Sequence, residues 1–294
     1  MTPSEMTSTE KTELRLPSVG AAIGFYLMLI VVLIVFVLPL IAPLARVIKD
    51  PQIFLAIGAT IQAIFMILLV WGFVSRGRFD WRATLSLRLC RPSIYLWAVV
   101  SVISLSIIMS DLASYLVRAF PGLMSSGLLE IIRLSRFNEP GAYIFFASAL
   151  SLGAAISEEL AFRGFILCGL SARLGSFGAI TISAFLFALL HLDPLQSLLV
   201  FPVGIFLGYL VLRSGSLYPA ILAHAVNNLW STVEASLWQA HNPDVKEILL
   251  DTAYSPLLTV AAIIVLTLGL YAIHRVTKKI EGPKVNDATI SQLP

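Results

Sequence analysis

Residues 19–45 read VGAAIGFYLMLIVVLIVFVLPLIAPLA, twenty-seven positions without a charged side chain. A helix needs about 20 predominantly apolar residues to cross about 30 Å of hydrocarbon, so this stretch is long enough to span a bilayer. The rest of the chain repeats the pattern. Of its 294 residues 58% are hydrophobic and 13% charged, with a mean hydropathy of +0.89. Soluble domains carry about 25% charged residues. Such a chain lacks the polar surface of a soluble fold and reads as an integral membrane protein. Its long unbroken apolar runs exclude a barrel of roughly ten-residue alternating strands. The expected fold is all-α, a polytopic membrane helix bundle of about eight transmembrane helices. They fall near 19–45, 52–75, 93–118, 141–171, 175–192, 194–213, 215–238 and 255–275.

The chain divides around these spans. A polar tail covers 1–18, N-terminal helices and a loop 19–140, a core 141–238, a loop and the last helix 239–279, and a polar tail 280–294. With no basic leader ahead of it, the first run reads as a retained span rather than a cleaved signal peptide. No connection is long enough for a soluble domain, and a short interfacial helix is expected around Leu128–Leu134. Glycines at 20 and 24, and at 204 and 208, form GxxxG pairs suited to close helix contact. Asp193-Pro194 caps and restarts a helix.

The net charge of +3 is small and its cations are dispersed, which argues for topology signals and against a nucleic-acid partner. Between the second and third spans stand Arg76, Arg78, Arg82, Arg88 and Arg91 against Asp80 alone. Placing that segment in the cytoplasm puts both termini there, with 14 of the 20 Lys and Arg on the inside. In a bacterium the host membrane is then the plasma membrane. Cys90 and Cys168 are too few for a disulfide scaffold or a cysteine zinc site.

Ionisable groups at membrane depth cost about 2.5–3.5 kcal/mol each on insertion scales and face the bundle interior. Here they gather in three helices, as Glu158, Glu159 and Arg163, then His191, then His224 with Asn227 and Asn228. Asp111 is the comparable group of the first three spans, near a span end. Glu159 and Arg163 are four apart with the acid first, a spacing that pairs them on one helix face. Glu158 is rotated by about 100° and points elsewhere, free for acid–base work. Glu158 and His191 stand at about equal distances from the turn near Ser171–Ser176, so antiparallel helices bring them to one depth.

One Glu, two His and one Asn inside a bundle suit hydrolysis of an acyl bond. The Glu deprotonates a water, while His and Asn hydrogen-bond the developing oxyanion. A second reading has His191, His224 and Glu158 hold a divalent metal such as zinc that activates the water. No HExxH motif is present, and these residues alone do not separate the two mechanisms. Taken singly, each has a plainer role: Glu159–Arg163 an ion pair, Phe187 an apolar wall, the asparagines links between helices.

Together Glu158-Glu159-x-x-x-Arg163, Phe187-x-x-x-His191 and His224-x-x-x-Asn228 resemble the three ordered motifs of the CPBP family (CAAX protease and bacteriocin-processing, also called Abi). The resemblance covers about residues 141–230. It implies an eight-span helical core and an intramembrane endopeptidase acting on a membrane-associated peptide or lipidated protein. Eukaryotic relatives remove the last three residues of prenylated CAAX proteins; bacterial members are linked to peptide maturation, bacteriocin immunity and phage defence. Carried over, Glu158 activates the water and His191 positions it or ligates metal. His224 and Asn228 form the oxyanion site, and Glu159, Arg163 and Phe187 support the architecture. The family is labelled metalloprotease, and a metal-free glutamate mechanism has also been put forward for it. The rival class is a non-catalytic membrane binding or immunity protein that sequesters a peptide. A transporter is a weaker third, since no inverted repeat is evident.

Overall fold

The computed structural model describes residues 15–241 and 254–277. Most of both polar tails and of the connection before the last helix therefore lie outside the described residues. So do Lys11, Lys278, Lys279 and Lys284, which the orientation argument used.

Eight longer helical segments, two short ones (Trp81–Thr84 and Pro121–Leu123) and no strand make up the fold among the described residues; the longer ones carry it. They are α1 (Val19–Arg46), α2 (Pro51–Gly77), α3 (Pro92–Ala119), α4 (Ser126–Leu134), α5 (Pro140–Leu189), α6 (Pro194–Ser214), α7 (Tyr218–His241) and α8 (Pro256–Thr277). Their starts follow from local chemistry. Ser18, Asp50, Ser125 and Asp193 each accept a hydrogen bond from the backbone N–H three residues on. Prolines at 51, 92, 140 and 194 occupy first-turn positions whose N–H needs no partner. Gly215, at φ +65°, closes α6 in the left-handed region.

Among the described residues six helices are long and apolar enough to cross a membrane: α1, α2, α3, α5, α6 and α8. The all-α membrane bundle stands. The eight expected spans become these six plus two elements of another kind. The fifty-residue α5 breaks at Gly175 (φ +64°, ψ 175°) and folds back on itself. The Ser183 hydroxyl donates to the Phe162 carbonyl at 2.9 Å, and the Phe162 and Phe187 rings lie 5.3 Å apart. The second arm, residues 176–189, is about 21 Å long, short of the hydrocarbon thickness. The other element is α7, 24 residues long, whose polar residues keep it from qualifying by apolarity.

Two turns of π-helix, Ala149–Gly153 and Leu160–Ile166, flank the α-helical piece Ala154–Glu159 inside the first arm of α5. Such wide turns shift the register of every later side chain and often mark functional sites. Around this arm the core is aromatic. Phe25 of α1, Phe73 of α2 and Phe79 all pack on Phe165, with ring centroids 4.8–5.9 Å apart.

Small residues admit the close approaches. A Cβ at Gly204 of α6 would lie 3.0 Å from the Ala184 Cβ, and one at Gly208 3.3 Å from Ile180. That pair seats α6 against the second arm of α5. The Gly20/Gly24 pair behaves otherwise: nothing lies within 4 Å of a Cβ at Gly24, so it makes no close helix contact. The glycine that brings α1 in is Gly169, whose Cβ would sit 2.9 Å from both the Ala22 Cβ and the Ser18 carbonyl.

Candidate active site

The first arm of α5 presents its two acids in different directions, as the helical rotation between neighbours requires. Glu159 is fully buried. Its Oε1 accepts from Arg163 Nη1 at 2.8 Å and from His224 Nδ1 at 2.9 Å. Arg163 is also buried, and its guanidinium lies over the Phe187 ring, 4.3 Å from the centroid. Phe187 thus supplies an aromatic face to a cation, and the Phe187 ring stacks edge-on against both His191 (5.0 Å) and His224 (5.7 Å). Glu158 instead reaches the edge of a cavity, its side chain 16% exposed, with Oε2 3.6 Å from His224 Nε2.

These contacts set tautomers. Glu159, paired with arginine, is the acceptor, so His224 Nδ1 carries a hydrogen and the neutral ring presents a lone pair at Nε2. Donation from Nε2 requires the imidazolium form, whose charge would face Glu159 on one side and Glu158 on the other. His191 Nδ1 lies 3.2 Å from the Phe187 carbonyl oxygen, so it donates there and leaves Nε2 to accept from water. Asn228 Nδ2 spends one hydrogen on the Leu150 carbonyl (3.0 Å), in the π-turn Ala149–Gly153, and keeps one. Asn227 donates to Asn228 Oδ1 (3.2 Å) and accepts from the Ser106 hydroxyl (2.9 Å), which links α7 to α3.

Glu158, Phe187, His191, His224 and Asn228 all line one cavity of about 520 Å³ between α2, α3, α4, α5, α6 and α7. Glu159 and Arg163 lie behind its wall. A second, smaller cavity of about 340 Å³ is walled mainly by apolar residues of α1 such as Ile30, Ile34 and Leu38. The two share Gln62, Glu158, Phe187 and His191, so both cavities reach Glu158.

Sequence reasoning placed the motif residues but missed Gln62 and Ser106, which are neutral and unremarked in apolar helices. It also passed over Glu234, an ionisable group within α7 that the depth argument should have flagged, and which lines the larger cavity. Asp111 is buried outside the cavity wall: it accepts from the Tyr254 backbone N–H at 2.6 Å and from the Thr259 hydroxyl, tying α3 to α8.

Among the described residues no group of three or more His, Cys, Asp and Glu side chains is placed to hold a metal ion. Cys90 and Cys168 are free thiols.

Residues 140–230 match the family described as Type II CAAX prenyl endopeptidase Rce1-like. The matched segment runs from the start of α5 through most of α7, under a third of the chain, and contains every motif residue named above. The resemblance to CPBP intramembrane proteases is borne out over this segment, and the match supports a CAAX-type intramembrane endopeptidase in general terms. No curated protein and no solved structure matches the chain.

Proposed function

We propose that the protein is an intramembrane endopeptidase that cuts a membrane-associated peptide or lipidated protein with a water activated by Glu158. The observation that carries this reading is the division of labour between adjacent acids. Glu159 is paired with Arg163, while Glu158 faces the cavity and makes no ion pair with Lys or Arg among the described residues. A carboxylate held so, lining one cavity with a His191 ring nitrogen that accepts from water, has the parts of a general base.

In this mechanism the water lies between Glu158 and His191 Nε2. Glu158 takes its proton as the oxygen adds to the scissile carbonyl. The remaining N–H of Asn228 and the imidazolium form of His224 stabilise the oxyanion, and Glu158 returns the proton to the leaving amine. Glu159 is a positioning residue that fixes the His224 tautomer. With the arginine-rich segment between α2 and α3 in the cytoplasm, both termini are cytoplasmic, in the plasma membrane if the host is bacterial. No step here is routed through a metal.

The test compares peptide termini in cells carrying the wild-type protein, Glu158→Gln or Glu159→Gln. New termini found with wild type, absent with Glu158→Gln and reduced with Glu159→Gln are the expected result. The drop for Glu158→Gln should be at least about 100-fold, the scale of general-base catalysis. Identical sets of termini at equal expression would move the reading to a peptide-sequestering immunity protein.

A further inference from the structure

The larger cavity has a charge character that the proposed chemistry does not use. Among the described residues two carboxylates line it, Glu158 and Glu234, and no Lys or Arg side chain does. Glu234 lies on α7 ten residues beyond His224, about 15 Å along the helix. Asn227, Asn228 and Ser231 lead to it along the same cavity wall, and Trp238 closes that wall one turn further on.

Its carboxylate is held rather than loose. Oε2 accepts from the Ser110 hydroxyl at 2.8 Å, and Oε1 accepts from the Tyr254 hydroxyl. Both donors are neutral, so they orient the group without cancelling its charge. Asp111, one residue after Ser110, adds a second negative charge behind the wall. A free carboxyl terminus seated at this end would meet the like charge of Glu234. A lysine or arginine side chain would meet a fixed, partly desolvated acceptor.

We propose that Glu234 is a specificity-determining residue that receives a Lys or Arg side chain of the substrate peptide. An extended chain rises about 3.3 Å per residue, so the cation lies four to five residues from the bond that faces Glu158. The proposal rests on the hydrolase reading only in calling that peptide a substrate.

Binding tests it without cleavage. The full chain carrying Glu158→Gln, in detergent micelles, is titrated with three fluorescent peptides. Each has one apolar segment followed by a polar one, and they differ by Lys, Gln or Glu at a single position in the polar part. The Lys peptide should bind about tenfold more tightly than the Glu peptide, with Gln between them. Adding Glu234→Gln, which keeps one acceptor oxygen and replaces the other with an amide donor that a hydroxyl can turn to accept from, should erase the difference, and Glu234→Lys should reverse it. Equal affinities with Glu234 intact, a preference that survives Glu234→Gln, or no binding by any peptide overturns the proposal. Charge-dependent binding with no Glu158-dependent cleavage in the wild type would sink the hydrolase reading and leave Glu234 as a cation-reading site.

Discussion

A single oxygen, Glu159 Oε1, takes hydrogens from Arg163 and from His224. Arg163→Ala therefore strands a buried carboxylate, and thermal unfolding in detergent should show about 3–5 kcal/mol of lost stability. Arg163→Lys should recover only part of it, because an ammonium cannot pair with Glu159 and also lie flat on Phe187. The exposed pair Glu130–Arg133 offers the contrast: Arg133→Ala should change stability by less than about 0.5 kcal/mol in the same assay. At this scale the Glu159–Arg163 bond was legible, since it needs only helical spacing. The bond from Glu159 to His224 was not. It joins positions 65 apart, and its existence depends on how α7 is rotated against α5.

That rotation belongs to the elements. The π-turn Ala149–Gly153 resets the direction of the acids and Leu160–Ile166 that of the residues after them, and no sequence signal marks where a helix widens. Glycine pairs show the same gap between motif and place. Gly204 and Gly24 both stand in GxxxG, yet a Cβ at Gly204 would meet Ala184 and lie 3.1 Å from Arg163 Nη2, while Gly24 faces open space. Gly204→Val should cost about 1–3 kcal/mol by overpacking and lower cleavage by displacing Arg163. Gly24→Ala should leave both within error, since nothing there resists a methyl group. Unfolding midpoints and terminus yields of the two variants, measured side by side, decide the matter. The break in α5 was readable as a turn near Ser171–Ser176, and the structure narrows it to Gly175, where the positive φ needs a residue without a Cβ.

Over the whole molecule the cavity is where distant parts of the chain meet. Its roof includes Ile131 and Ile132 of α4. That helix is anchored by Gln239, which donates to the Ile132 carbonyl, and by Gln52, which donates to the carbonyls of Leu134 at its end and Arg136 just past it. The short helix was legible beforehand, but its anchors and its place over the cavity were not: α2 and α3 looked like plain spans, and the polar residues they lend the cavity are neutral. If protein groups alone activate the water, a strong chelator should leave the rate of cleavage within about twofold of its starting value. A loss that added zinc restores would instead assign the water to a metal. The spacing of the motif residues carries one more consequence. Glu158, His191 and His224 follow one another at intervals of 33 residues, so the ribosome delivers the acids well before either histidine. The first arm of α5 must enter the bilayer with Glu159 and Arg163 already neutralising each other inside one helix, which lowers the cost of its insertion. Until α7 arrives, Glu158 is the exposed charge of a half-made protein, and the order of synthesis keeps the site incomplete while the membrane is still being crossed.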